Sequence, residues 1–304
     1  MKIENVKTIT VVGAGNMGHQ IGTLCAMHGY ETYVTDANPA QLARAKAFVD
    51  DYLPGRVAKG RITQEEADKA AALIHFESDM AVAAKNADVV IEAVYEEIGL
   101  KRRIFSQLEE ICKEDCVFAT NASSLPSSEI AAVLKNPGRI CNMHFFNPAL
   151  VMKTVEVMRG THTSDDAFNT VCALCEKLEK TPARLQKEIR GMVGSRVCGV
   201  IFNLGMELVH GGYATVEDVD AICRGALGHP MGPFALMDLT GVDMTYYAQL
   251  DRFRESGDKD DLPWPLMAEM CARGEFGRKC GRGFYEYTED GKMIPRDDLW
   301  STVD

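Results

Sequence analysis

The sequence predicts an α/β protein in two parts: a parallel sheet with crossover helices, then a helical domain. Strand and helix patterns alternate through the first half, a glycine-rich turn joins the first of each, and the alternation stops near residue 187. At 304 residues the chain exceeds one ordinary core and suits two domains, expected at 1–187 and 188–304. Apolar residues at 46% and charged residues at 25% are globular proportions, which exclude disordered and collagen-like classes.

Thr8-Ile9-Thr10-Val11-Val12 is β-rich and stops at Gly13, and a helix pattern runs from about Met17 to His28. Glu31-Thr32-Tyr33-Val34-Thr35 reads as a second strand, closed by Asp36. From there to Leu73 runs a polar, helix-forming excursion that is too long for a simple crossover and so should project from the sheet. It contains a helix from Ala40 to Tyr52, a break or kink at Pro54-Gly55, and a capping box at Thr63-Gln64-Glu65-Glu66 that starts another helix. The run from Ala87 to Val94 is apolar enough for a strand buried on both faces, and further strands are expected at Cys116 to Thr120 and Ile140 to Phe146. Val193 to His210 is a long apolar helix pattern, Thr215 caps the next, and helices continue to about residue 273. Strand alternation returns only at Gly283 to Tyr287, and no fixed-period repeat is evident.

Lys and Arg number 33 against 44 Asp and Glu, for a net charge of −11 and a pI near 5.2. That balance argues against nucleic acid and anionic lipid as partners, and any anionic ligand must be held by local cations. An acid at Glu4 interrupts any signal-like start, and no apolar run approaches the roughly 18 residues of a membrane span. The expectation is a cytoplasmic protein with no membrane partner. Among ten cysteines the one CxxC, Cys172 to Cys175, shares a helical face with Phe168, Val171 and Leu178, so these thiols should be core and no metal site is expected.

Gly13-Ala14-Gly15-Asn16-Met17-Gly18 is G-x-G-x-x-G between a strand and a helix, the setting of a dinucleotide-binding turn. The first glycine makes the turn, the second admits a pyrophosphate and the third lets the helix pack. Asp36, at the end of the second strand, would accept from the ribose hydroxyls and repel a 2′-phosphate, which selects NAD over NADP. Asn121-Ala122-Ser123-Ser124-Leu125-Pro126 follows a strand end, where ligands bind in open α/β sheets, and Ser124 or Ser127 could cap a helix. His144-Phe145-Phe146-Asn147-Pro148 precedes a carboxylate at Glu156, twelve residues on, so a base and its orienter could face each other across a chain reversal.

These residues resemble the 3-hydroxyacyl-CoA dehydrogenase family, especially its short-chain 3-hydroxybutyryl-CoA members, along nearly the whole chain. The markers are GAGNMG at 13–18, NASSL at 121–125, HFFNPALVMKTVEV at 144–157, HPMGPFALMDLTGVD at 229–243 and GRKCGRGFYEY at 277–287. The resemblance implies a Rossmann-type domain and a helical C-terminal domain that forms a homodimer interface. It implies that His144 is the general acid/base, Glu156 its partner and Ser123 a hydrogen-bond donor to the substrate oxygen. Glu96, Lys101, Asn121 and Asn147 match positions around the nicotinamide half of the cofactor. The excursion after Asp36 would cover the CoA moiety, with Lys59 at a basic contact position and Arg56 adjacent to Gly55, a second position where the family has a basic residue. Two positions depart from the family pattern: Ser195 stands where an active-site Asn is usual, and Gly55 where a second basic residue is usual. The implied reaction is oxidation of a short (S)-3-hydroxyacyl-CoA with NAD, in fatty acid or butyrate metabolism. The alternatives are a relative acting on a non-CoA β-hydroxy acid and an NAD-binding protein with impaired catalysis.

Overall fold

The computed structural model describes residues 2–300. They form two compact units that divide between Arg190 and Gly191, three residues beyond the expected boundary. The extra residues belong to the first unit because they are tied to it. Glu188 Oε1 accepts from Ser127 Oγ at 3.1 Å and from the Ser128 amide at 2.8 Å, and Arg190 pairs with Glu129.

The first unit runs β1 (Thr8–Val12), α1 (Asn16–Met27), β2 (Glu31–Thr35), α2 (Pro39–Ala58), α3 (Gln64–Leu73), β3 (Ile74–Glu77) and α4 (Met80–Ala84). It continues with β4 (Val89–Glu92), α5 (Ile98–Ile111), β5 (Val117–Thr120), α6 (Ser127–Ala131), β6 (Ile140–Phe145), β7 (Thr154–Met158), α7 (Asp165–Lys177) and β8 (Thr181–Leu185). The eight strands form one sheet in the order β3-β2-β1-β4-β5-β6-β7-β8. Pairing is parallel except at β6·β7, which is antiparallel, so the sheet is not wholly parallel as the alternation suggested. Period-2 alternation splits the core between the two faces: Ile9, Val11, Val89 and Ile91 pack into one cluster, and Val12, Val90, Phe105 and Phe118 into another.

Three strands of this unit were not legible. β3 follows α3 without a loop, β7 has its hydrophobics spaced by Glu156, and β8 is an edge strand carrying Pro182. The excursion is the pair α2 and α3. Helix α2 does not break at Pro54: that residue and Asp50, whose carbonyl it leaves unbonded, are both exposed, so water can serve the carbonyl. Leu42, Ala45, Val49 and Leu53 form its buried stripe. The Thr63–Glu66 capping box is present, with the Glu66 amide 3.1 Å from Thr63 Oγ1 and the Thr63 amide 2.7 Å from Glu66 Oε2. Cys172 and Cys175 are buried in α7, as the face pattern required.

The second unit holds α8 (Val193–His210), α9 (Val216–Gly225), α10 (Pro233–Thr240), α11 (Val242–Ser256) and α12 (Pro265–Ala272), then β9 (Tyr285–Tyr287) and β10 (Met293–Pro295) as an antiparallel hairpin. It is therefore helical with one hairpin rather than all-α. Its core gathers Phe202, Met206, Phe234, Met237 and Phe284 around two buried carboxylates. Asp220 accepts from the Phe234 and Ala235 amides at 2.9 and 3.0 Å, at the start of α10, and from the Tyr285 hydroxyl at 2.9 Å. Asp238 accepts from the Phe284 and Tyr285 amides at 2.8 and 2.9 Å and from the Tyr287 hydroxyl at 2.9 Å.

Candidate active site

The crossovers leave β1 and β4 toward opposite edges of the sheet, so the turns after these strands flank a topological switch point. Gly13, at φ 103, bonds its amide to Thr35 O at 2.8 Å, and a Cβ there would lie 2.7 Å from Ala93 O. A Cβ on Gly18 would lie 1.7 Å from Gly13 O, so α1 packs on the turn only through glycine. At Gly15 a Cβ would meet nothing within 4 Å. Gly15 is also the N-cap of α1 and has no side chain to cap the first-turn amides. Two glycines are closed by packing and one is open, which fits a pyrophosphate seated on the helix N-terminus. Met17 packs against the core beside them. Asp36 accepts from the Ala14 and Asn38 amides, each at 2.8 Å, which fixes its carboxylate next to the turn as an NAD ribose requires.

The antiparallel β6·β7 pairing sets His144 directly opposite Glu156. Their side chains meet at 3.0 Å, from His144 Nδ1 to Glu156 Oε2, and both residues are buried. The carboxylate can only accept, so Nδ1 carries the proton and the neutral ring keeps Nε2 as its acceptor. The Phe146 ring lies 5.1 Å from the imidazole.

Asn121 Oδ1 accepts from the Phe145 amide at 2.9 Å, which ties the end of β5 to the end of β6. Ser123 is exposed on the turn after β5, and its hydroxyl makes no hydrogen bond among the described residues. Neither Ser124 nor Ser127 caps α6, whose N-cap is Pro126, because carboxylates draw both hydroxyls away. Ser124 Oγ donates to Glu96 at 2.9 Å, and Ser127 Oγ to Glu188. Glu96 Oε1 also takes the Ser124 amide at 2.7 Å, so it orders the Ser123 turn.

Lys101 is fully buried, with Nζ 2.8 Å from Glu92 Oε1 and 3.5 Å from Glu96. Thr120 Oγ1 adds a 2.7 Å bond to Glu92. Burial pushes the Glu92 carboxyl above its ordinary range, and the Lys101 ammonium pulls it back. Sequence reasoning missed Glu92, although an acid inside the apolar run Val89 to Val94 was a signal for a buried partner. Asn147 meets the glycine-rich turn directly, accepting at Oδ1 from Asn16 Nδ2 at 3.1 Å.

A cavity of about 350 Å³ lies against α1, α2 and the segments at 150–153 and 178–180, and Arg56, Arg61, Lys153 and Lys180 all line it. Arg56 Nε is buried there with no hydrogen-bond partner among the described residues. Burial, and then the neighbouring Lys153, lower the pKa of Lys180. Lys59 caps α2 but does not line the cavity. Arg61, Lys153 and Lys180 escaped the sequence reading because only the fold gathers them. Ser195 lies in the first turn of α8, in the second unit, and the constellation within the first unit is built without it.

A glycine turn at the switch point, a carboxylate at the end of β2 and a buried His–Glu pair at the same edge define an NAD-dependent dehydrogenase. Comparison with known proteins is more specific. Residues 8–189 match the 3-hydroxyacyl-CoA dehydrogenase NAD-binding domain, and residues 191–287 match the C-terminal domain of the same enzymes. The chain belongs to the 3-hydroxyacyl-CoA dehydrogenase family. It is 37% identical to a probable 3-hydroxybutyryl-CoA dehydrogenase of Bacillus subtilis, across 93% of this chain and 98% of that one. It is 35% identical to the 3-hydroxybutyryl-CoA dehydrogenase of Clostridioides difficile, across 92% and 99%. The crystal structure of an (S)-3-hydroxybutyryl-CoA dehydrogenase from Ralstonia eutropha superposes with a TM-score of 0.88 at 34% identity, covering 94% of this chain and 100% of that one.

Proposed function

We propose that this chain interconverts a short (S)-3-hydroxyacyl-CoA, of which 3-hydroxybutyryl-CoA is the best candidate, and its 3-ketoacyl-CoA. The 3.0 Å contact between His144 Nδ1 and Glu156 carries the reading, because it leaves Nε2 free to accept a proton at the same strand-end edge as the cofactor turn. NAD, when bound, supplies the hydride acceptor. Nε2 of His144 takes the hydroxyl proton in oxidation and returns it in reduction. Glu156 holds the ring in the required tautomer and stabilises the imidazolium. Ser123 holds the oxygen that becomes the carbonyl, and Ser195 stands where the family pattern has an active-site Asn. Glu96, Lys101, Asn121 and Asn147 frame the nicotinamide half of the cofactor. Arg56 and its cationic neighbours in the 350 Å³ cavity hold CoA phosphate groups that a chain of net charge −11 otherwise repels, and Lys59 adds a further contact at the rim of α2.

The enzyme acts as a homodimer. Val193, Val197, Val200, Leu204 and Leu208 make an exposed apolar stripe along α8 at helical spacing, the kind of seam a second copy covers. No helix among the described residues is long and apolar enough to cross a membrane, and the acidic composition and ten free thiols favour the cytoplasm.

Loss of NADH absorbance on adding acetoacetyl-CoA, and gain of NADH absorbance with NAD and a panel of free β-hydroxy acids, test the substrate class. His144→Ala and Glu156→Gln are expected to lower kcat by about 10²–10⁴-fold while NADH binding persists. Near-normal turnover by His144→Ala would remove the proposed mechanism.

A further inference from the structure

One polar thread crosses the site without a part in the proton transfer. The backbone amide of Leu150 donates to Gln20 Oε1 at 3.5 Å, Gln20 Nε2 donates to Asn16 Oδ1 at 3.0 Å, and Asn16 Nδ2 donates to Asn147 Oδ1 at 3.1 Å. The thread has one direction. A backbone N–H can only donate, so it fixes the acceptor end of Gln20, and each primary amide then passes the polarity on because it has one accepting and one donating end. Gln20 is 6% exposed inside α1, which locks the first link, whereas Asn16 and Asn147 are exposed at the crevice.

We propose that Gln20 and Asn16 are positioning residues that fix the orientation of the Asn147 amide, so that Asn147 presents its Nδ2 donor to the carbonyl oxygen of the nicotinamide carboxamide. The inference rests on the placement of Asn147 beside the nicotinamide given above. Its content is the polarity: with Oδ1 occupied by Asn16, Asn147 offers a donor and not an acceptor. The carboxamide has a carbonyl on one side and an NH2 on the other, so a fixed donor selects one rotamer of that group. A free amide could serve either.

The test reverses the thread. In Gln20→Glu the new side chain has two acceptors, takes both the Leu150 amide and Asn16 Nδ2, and turns Asn16 and Asn147 around. Asn16→Asp produces the same reversal at Asn147 from an exposed position, so the test survives if the buried variant misfolds. The probe is 3-acetylpyridine adenine dinucleotide, which keeps the carbonyl oxygen of NAD and lacks the carboxamide N–H groups. The readout is the ratio of its Kd to that of NAD by calorimetry, in which the added negative charge cancels and no turnover is needed. Wild type should bind the two alike, and both variants should shift the ratio against the analogue by about tenfold, the size of one hydrogen bond left unmade. An unchanged ratio in a folded variant overturns the inference. Absence of turnover with acyl-CoA in wild type would instead count against the proposed function, and leaves this binding measurement intact.

Discussion

Two glycine-rich regions of the chain look alike as sequence and do opposite things. In the first unit, Gly15 faces open space at the helix N-cap. In the second, glycines are pressed against two buried aspartates. A Cβ on Gly232 would lie 2.3 Å from the Asp220 carboxyl, one on Gly283 2.0 Å from Asp238 Oδ1, and one on Gly277 2.3 Å from Asp238 O. The segments HPMGPFALMDLTGVD and GRKCGRGFYEY carry these glycines and the aspartate they enclose. Their glycines are therefore missing side chains that let backbone amides reach Asp220 and Asp238. A glycine motif thus marks close approach, and only the neighbours decide whether a ligand or a carboxylate is approached.

The sharpest way to break this contrast is to add one methyl group in each region. Gly283→Ala drives a Cβ into the Asp238 carboxylate, where overpacking costs about 1–3 kcal/mol and each displaced hydrogen bond about 1–3 more. The expected loss of roughly 3 kcal/mol or more should lower Tm by about 6–12 °C in a thermal melt. Gly15→Ala should leave Tm unchanged and raise the NADH Kd by about tenfold or more, because the methyl occupies the pyrophosphate approach. Equal Tm losses in the two variants would erase the distinction.

The same contrast explains what could be read in advance. The turn, Asp36 and the dyad were legible because a ligand or a reaction demands particular residue types at particular spacings. The cross-strand meeting of His144 and Glu156 needed only a reversal between them, and β7 supplies it in register. The carboxylate clasp was not legible, since Asp220 and Asp238 find their tyrosine and amide partners 14 to 65 residues away. Nor was the cavity, whose cations come from three separate segments. Long-range pairing of buried polar groups leaves little local trace.

A smaller effect separates the clasp from the site by pH. Burial pushes the Asp238 carboxyl up to about 6, with the nearby Asp220 charge adding to it; the Phe284 and Tyr285 amides and the Tyr287 hydroxyl oppose the rise. The ordinary aspartate value is 3.8, so between about pH 4 and 6 the folded state binds the proton that the unfolded state has released. Asp238 therefore lowers stability as pH rises through that window, by roughly 2–3 kcal/mol in all, and has no further effect above it. Other buried acids titrate nearby, and Glu275 in particular has its carboxyl lowered by Arg296 and Arg273 and acts with the opposite sign. The measurement is therefore a difference: urea midpoints of wild type and Asp238→Asn from pH 4 to 7. The Asn variant loses one acceptor and should be less stable at every pH, but by less at pH 7 than at pH 4. A constant gap would mean that Asp238 does not titrate in this range.

The smallest effect is expected at Ser195, which lies outside the clasp and stands where the family pattern has an active-site Asn. Asparagine offers both a donor and an acceptor on a longer stem, and serine one hydroxyl on a short one. The shorter side chain leaves room that a water can bridge, and a bridging water replaces much of a direct bond at an entropic cost of about 0–2 kcal/mol. Ser195 is half-buried in the first turn of α8, whose N-cap, Met192, makes no side-chain cap bond, so no capping interaction depends on its hydroxyl. Ser195→Asn should therefore keep the fold and keep or raise kcat/KM for acetoacetyl-CoA, by less than about tenfold, since it exchanges a water-mediated contact for a direct one. Steady-state kinetics on wild type and variant decides it. If the substitution abolishes turnover of a free β-hydroxy acid and creates none with acyl-CoA, Ser195 defines a changed specificity, and the CoA ester gives way to a non-CoA substrate.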